Sequence, residues 1–212
     1  MTAGDAPDAS CDTGVTVALT GASGIQYGLR LVQCLARAGD TVHLLVSEAA
    51  RVVAGLEAGL ALPRRPSELT RTIVDTLEIE QTALRVYSEE QWTSPLASGS
   101  GAPRRMAVCP CTTGTLAAIA GGHSNNLIER AADVVLKERG RLVVVPRETP
   151  LSSIHLEHML ALSRHGVVVL PATPGFYHKP QSVEDLVDFV VGRVLDHLDV
   201  PHRLTPRWGE TE

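Results

Sequence analysis

Residues 15–25 read Val-Thr-Val-Ala-Leu-Thr-Gly-Ala-Ser-Gly-Ile: an apolar run that stops on a glycine turn and passes into a helical pattern. Val15–Thr20 is continuous and rich in β-branched residues, as in a strand buried on both faces. From there Ile25, Leu29, Val32 and Ala36 step by four, three and four, the spacing of one helix face. Strand, tight turn and helix in that order open a parallel α/β sheet. Further runs of the same kind stand at Val42–Ser47, Met106–Cys109, Leu142–Pro146 and Val167–Leu170, and Leu84–Tyr87 is a sixth candidate. Ser182–Leu198 is the clearest helix, with Val183, Leu186, Val187, Val190, Val191, Val194, Leu195 and Leu198 on one stripe. Phe189 falls off that stripe and is expected to face something other than its own core. Alternating strands and helices predict one three-layer αβα domain over 15–212, a mainly parallel sheet with helices on both sides. Apart from the Leu84–Tyr87 candidate, residues 61–103 are the least regular stretch and end in the loop-like SPLASGSGAP.

Composition narrows the function. With 212 residues the chain fits one domain with a core of its own. A net charge of −5 without basic clusters argues against nucleic acid as a partner, because phosphate backbones require grouped Lys and Arg. No apolar run approaches the ~20 residues that span a bilayer, so no membrane is expected. Residues 1–14 are expected to be a disordered leader, being free of Lys, Arg and apolar stretches. Four cysteines in a chain of this length do not make a disulfide framework, and Cys109-Pro110-Cys111 fits neither a zinc knuckle nor a redox pair. Reduced thiols and a cytoplasmic location follow as expectations. Only seven residues are aromatic, so the core must rest on Val, Leu, Ile and Ala.

In parallel α/β sheets ligands bind beyond the carboxyl ends of the strands. Immediately after the apolar runs stand Gly21-Ala22-Ser23-Gly24, Ser47, Pro110-Cys111-Thr112-Thr113-Gly114-Thr115, Arg147-Glu148-Thr149 and the stretch Pro171–Pro180. Backbone amides at a strand-to-helix turn, aligned with the helix dipole, hold phosphate. Gly21–Gly24 is not the dinucleotide fingerprint, since Ser23 stands where that motif has glycine, and Ser47 replaces the acid that would meet a ribose. These two features favour a mononucleotide such as FMN over NAD. A plain tight turn with Ser23 as helix cap explains the first motif equally well. Simple N-capping also accounts for Thr112–Thr115. No P-loop occurs.

Arg130, Asp133 and Lys137 step by three and four on one helix face, ordinarily a solvated stripe. Arg147 and Glu148 follow a strand. Thr149-Pro150 reads as a cap and first-turn pair, and a buried rim carboxylate beside an Arg can move protons. A structural ion pair is the plainer reading of those two charges. His155 and His158, three apart on a helix, lack a third ligand, so no metal is expected and both should be surface residues. His43 lies within a strand and reads as structural. Arg193 falls on the shoulder of the last helix's apolar stripe, where it reaches a pocket or simply snorkels.

Taken together, the segments TGASGIQYGLRL (20–31), VSEAA (46–50), ASGS (97–100), CPCTTGTLAAIAGG (109–122), NNLIERAADVVLKER (125–139), VPRETPLSSIHLEHML (145–160), PATPGFYHKPQSVEDLVDFVVGRVLD (171–196) and PRW (206–208) resemble the UbiX-type flavin prenyltransferase family. The likeness runs from about Val15 to Trp208. It implies a Rossmann-like flavodoxin-type fold, a homododecamer, and transfer of the dimethylallyl group of dimethylallyl monophosphate to N5 and C6 of reduced FMN. The prenylated FMN would then serve UbiD-type decarboxylases, with no metal required. Carried over by motif, Gly21, Ala22, Ser23, Ser47, Thr112, Thr113, Gly114, Thr115 and Arg147 would contact FMN. Ser98, Arg130, Lys137, Tyr177, Arg193 and Trp208 would surround the allyl phosphate. Glu148 and Ser23 would handle protons near N5, with Lys137 and Glu57 completing the catalytic set. Two departures stand out: the family often has KERR-P-L where this chain has Lys137-Glu138-Arg139-Gly140-Arg141, a glycine expected to loosen the turn, and Thr112 replaces a more usual Ser.

Two other functions compete. A flavin-dependent cysteine decarboxylase would share the fold but carry P-x-M-N-x-x-M-W, whereas Pro110–Thr115 has no Met-Asn. A non-catalytic flavin carrier would need none of Lys137, Glu148, Tyr177 and Arg193.

Overall fold

Each β-branched run forms a strand, and each lies parallel to its neighbours. A computed structural model describes residues 14–207 and Gly209. Its strands are β1 (Val15–Leu19), β2 (Val42–Val46), β3 (Leu84–Tyr87), β4 (Arg105–Cys111), β5 (Arg141–Pro146) and β6 (Val168–Val169), in the spatial order 3-2-1-4-5-6. The helices are α1 (Ile25–Arg37), α2 (Glu48–Ala58), α3 (Pro66–Leu77), α4 (Thr113–Ala120), α5 (Leu127–Lys137), α6 (Ser153–Arg164) and α7 (Val183–His197). The order reverses between β1 and β4, so their carboxyl ends open the crevice where such folds bind ligands.

The strands are apolar throughout because both faces are covered. Val17, Leu19, Leu44 and Val46 pack with α1, α2, α3 and α7 in one core, while Ala18, Leu45, Met106 and Val108 pack with α4, α5 and α6 in the other. Phe189 packs against the first core from its edge, stacked on His178 at 5.1 Å and edge-on to Tyr177 at 5.8 Å. The expectation that it faces away from its own chain is corrected accordingly. His43 is buried, with Nδ1 3.1 Å from the Tyr87 hydroxyl and the two rings parallel.

Several boundaries differ from the sequence pattern. β4 continues through Pro110, which gives the sheet a carbonyl that accepts from the amide and hydroxyl of Thr20 (3.2 and 2.8 Å). A break at the proline, which lacks an N–H, was the expectation. β6 is two residues long, yet Leu170 and Ala172 still donate to Val144 and Pro146 of β5. Within 61–103, α3 opens with Pro66 at its first turn and buries Leu69, Ile73 and Leu77. Its stripe is narrow, and Thr70 and Thr72 bond back to the carbonyls of Pro66 and Glu68, which masks the helical signal. Thr149-Pro150 does not start a helix. Both it and Cys109-Pro110 are cis, and α6 begins after Ser152, whose side chain forms a capping box with His155. The expected leader lies, Gly14 apart, outside the described residues.

Candidate active site

The turn after β1 does what its glycines allow, with a different anion from the one expected. Gly24 caps α1 at φ 99°, a left-handed conformation, and a Cβ there would stand 2.6 Å from the Tyr27 ring. Ser23 is therefore not the cap. Instead Glu57 reaches over from α2, and its Oε2 accepts from the amides of Gly24 (2.9 Å) and Ile25 (3.2 Å) while the Ser23 hydroxyl also donates to it. A carboxylate thus occupies the positive end of α1. Burial alone pushes the Glu57 pKa up. The Ser23, Gly24 and Ile25 hydrogen bonds and the positive charge of Arg147 outweigh it, so the group titrates below the ordinary carboxyl range.

The neighbouring turns are helix caps. Ser47 closes α2 by accepting from Ala50 N (3.1 Å). Thr112 closes α4, and its hydroxyl both accepts from Thr115 N (3.1 Å) and donates to Thr115 Oγ1 (2.9 Å). Thr20, which the sequence reading passed over, joins these turns: its Oγ1 accepts from Thr112 N at 2.8 Å. No motif marks it, because a threonine ending a buried strand looks like ordinary β propensity. Arg147 leaves β5 with its amide bonded to Cys111 O at 3.4 Å and its side chain exposed. Glu148 is exposed too, and Oε1 accepts from Thr149 N at 3.0 Å. The buried carboxylate beside an arginine that the sequence pattern called for is not Glu148. The carboxylate placed near Arg147 is Glu57.

The remaining assigned residues fall into two further groups. Arg130, in the first turns of α5, donates to Ala97 O (3.1 Å) and to Asp133 (2.7 Å), beside Ser98, whose hydroxyl lies 3.2 Å from Ser100 Oγ. Lys137 ends the same helix, paired with Glu138. Tyr177 and Arg193 border a 470 Å³ cleft against α7. Helix α5 covers one face of the sheet and α7 the other, so the two groups sit on opposite faces of a single chain. Trp208 lies outside the described residues.

A larger cleft, 640 Å³, opens at the amino edge of the sheet among Arg104, Arg105, Arg139 and Arg141. Three of these are already engaged: Arg105 with Asp40 (2.5 Å) and Leu198 O (3.2 Å), Arg104 with Glu138 O (2.8 Å), and Arg141 with Asp199. Gly140 is not a loosened turn. A Cβ there would lie 2.5 Å from Arg104 O, which accepts from Arg141 N at 2.7 Å, so glycine lets two backbones close. His155 serves its capping box, and among the described residues no three His, Cys, Asp or Glu gather as metal ligands.

A doubly wound sheet with amides, hydroxyls and one arginine around its switch point is the architecture of a flavoprotein, and the sequence matches the Flavoprotein family over residues 6–195. It is 56% identical over 196 residues to the flavin prenyltransferase UbiX of Pseudomonas aeruginosa, covering 92% of this chain and 94% of that one. Among solved structures it is similar to AnUbiX (PadA1) in complex with FMN and dimethylallyl pyrophosphate (40% identity, TM-score 0.80, 93% and 98% coverage). It is also similar to a dodecameric FMN-dependent UbiX-like decarboxylase from Escherichia coli O157:H7 (39%, TM-score 0.81, 92% and 98% coverage). The chain belongs to the flavin prenyltransferase UbiX family.

Proposed function

We propose that the protein transfers a dimethylallyl group from dimethylallyl monophosphate to N5 and C6 of reduced FMN, and that the prenylated flavin is passed to a UbiD-type decarboxylase. The chain is a prenyltransferase and FMN is its flavin, in keeping with a 56% identical relative of that name and a similar structure holding FMN and an allylic pyrophosphate. The observation that carries the reading is the carboxyl-edge rim: Ser23 held by Glu57, capping hydroxyls at Ser47 and Thr112, and an exposed Arg147 and Glu148.

The donor set fits a flavin mononucleotide. Gly21, Ala22, Ser23, Ser47, Thr112–Thr115 and Arg147 would hold it, with Arg147 and the starts of α2 and α4, rather than the α1 start that Glu57 occupies, toward its phosphate. Reduced flavin supplies the nucleophilic N5 and C6. Bonding to N5 would break the allylic C–O bond, with the phosphate and the N5 proton departing. Closure onto C6 would need one proton delivered to the allyl double bond and the C6 proton removed. Arg130, Lys137 and Arg193 stabilise the leaving phosphate, and Tyr177 and Trp208 offer π-faces to allylic positive charge. The Ser23 hydroxyl is oriented by Glu57, so its oxygen would be left to accept from a flavin N–H, while Glu148 has a carboxylate oxygen with which to accept a proton.

The α5 and α7 groups are proposed to serve one substrate by being contributed from different copies. The functional unit is a homo-oligomer, the dodecamer of the Escherichia coli protein being the pattern proposed here. Exposed Leu151, Ile154, Leu156 and Leu160 on and beside α6 supply apolar surface for such contacts. We place the protein in the cytoplasm on its reduced cysteines. Among the described residues no helix is long and apolar enough to cross a membrane.

Anaerobic incubation with reduced FMN and either dimethylallyl monophosphate or the pyrophosphate, followed by mass spectrometry of the flavin, tests the proposal. The expected result is a flavin heavier by one dimethylallyl unit from the monophosphate. Bound FMN with no mass gain from either donor refutes it. The second reading, flavin-dependent decarboxylation, draws on the decarboxylase named in one similar structure. It requires loss of CO₂ from an added acid by this protein alone.

A further inference from the structure

The cleft beside Tyr177 is closed by a carboxylate that no catalytic assignment uses. Asp196 lies three residues beyond Arg193, one turn along the same face of α7. Its Oδ2 accepts from Arg193 Nη1 at 2.5 Å. Its Oδ1 stands 3.1 Å from His202 Nε2 and 3.4 Å from Arg207 Nη2, both in the segment that follows the helix. Leu204 N donates to His202 Nδ1 at 3.3 Å, which leaves Nε2 to carry the proton toward Asp196. His202 is only 10% exposed, seated where a Cβ on Gly192 would come within 3.0 Å of its ring. Around this hub Tyr177, Phe189, Arg193, Pro206 and Arg207 wall the 470 Å³ cleft.

We propose that Asp196 is a positioning residue for the allyl-phosphate end of the site, holding Arg193 and the segment 201–207 in place around the cleft. The proposal rests on the prenyl-transfer reading for the identity of the anion. An ordinary i,i+3 pair fixes one long side chain on a helix surface. Here one carboxylate gathers donors from a helix and from the chain returning across it. Two of those donors are arginines at the wall of an aromatic-sided cleft, so a net positive charge remains once Asp196 is counted. Arg193 spends one Nη on Asp196 and keeps other N–H donors for a phosphate oxygen. A guanidinium already held in one rotamer loses less entropy when the phosphate arrives, which lowers KM and leaves the chemical step alone.

The chemistry of the side chain sets the test. Asn has one accepting oxygen where Asp has two, so Asp196→Asn keeps Arg193 or the segment but not both, and Asp196→Ala keeps neither. With reduced FMN and dimethylallyl monophosphate under anaerobic conditions, Asp196→Ala is expected to raise KM for the allyl phosphate about tenfold, the worth of one charge-assisted hydrogen bond. Asp196→Asn should raise it less. In both, kcat and FMN affinity stay within about twofold, because the flavin rim lies elsewhere, and Asp196→Glu, with both oxygens, restores much of the loss. Hydrogen exchange of residues 201–207 reads the anchoring without any flavin, and should speed up about tenfold in the Ala variant. Should that variant not fold, Asp196→Asn carries both measurements.

An unchanged exchange rate overturns the anchoring. Faster exchange with an unchanged KM overturns the positioning role, as does a fall in kcat, FMN affinity and melting temperature together. Wild-type protein that forms no adduct sinks the prenyl reading and the substrate half of the proposal, while the exchange measurement still decides the anchoring half.

Discussion

The two edges of the sheet both carry arginines, and they use them differently. At the amino edge Arg105 is locked to Asp40 and to the carbonyl of Leu198, and Arg141 is paired with Asp199. These groups tie the start of β4 and the end of α7 into one body. At the carboxyl edge Arg147 and Glu148 stand exposed, and Arg147 acts electrostatically on Glu57. The larger cleft is at the amino edge, yet its charges are largely satisfied within the chain. Cleft volume therefore misdirects here. What marks the edge proposed as functional is charge placed without full compensation, beside hydroxyls that cap helices.

The contrast is sharpened or broken most by Glu148→Gln. We expect adduct formation to slow by about a hundredfold, the usual scale for a lost acid–base group, with FMN binding within about twofold. Anaerobic single-turnover kinetics measure it, and an unchanged rate removes Glu148 from the chemistry. Next come the two arginines as a pair. Arg105→Ala should cost about 1–3 kcal/mol by urea denaturation, as for a hydrogen-bonded charge removed from a half-buried partner, without changing FMN affinity. Arg147→Ala should weaken FMN about tenfold by fluorescence titration and leave the urea midpoint nearly fixed. Equal behaviour of the two would abolish the distinction between the edges.

A smaller effect is expected at Gly24. A Cβ forced into the left-handed region and against Tyr27 should cost about 1–2 kcal/mol in Gly24→Ala, read from the urea midpoint. The smallest concerns Glu57. Its folded pKa is depressed, so its stabilisation is fully present above the ordinary carboxyl pKa and is lost as pH falls through the lowered folded value. Glu57→Gln should cost about 0.5–1 kcal/mol at neutral pH, a helix-cap magnitude, and the gap to wild type should narrow below about pH 4. A gap that stays constant from neutral to acid pH would show that the charge of Glu57 does not matter.

Much of this was legible beforehand because parallel sheets write themselves in runs. Val15–Leu19, Val42–Val46 and Leu142–Pro146 are apolar on both faces, and the stripe of α7 with Ser182 before it marks a helix and its cap. α3 was hidden by threonines that bond back to their own helix, and the end of β4 by a proline inside a central strand. That Ser23, Ser47, Thr112 and Arg147 lie on the rim could be read from position alone, since whatever follows a strand lies there. The link from Glu57 to Ser23 and Gly24 spans more than thirty residues and has no local pattern.

The sequence by itself determined the class: a parallel αβα sheet with a polar carboxyl edge. Periodicity and strand ends are local properties, and local properties survive in a string of letters. Only the tertiary structure decided which anion sits at the start of α1, which arginines are already engaged, and that the residues proposed for the allyl phosphate divide between two faces. Those facts depend on which strands become neighbours, and hydrogen bonds and ion pairs act over a few ångströms regardless of distance along the chain.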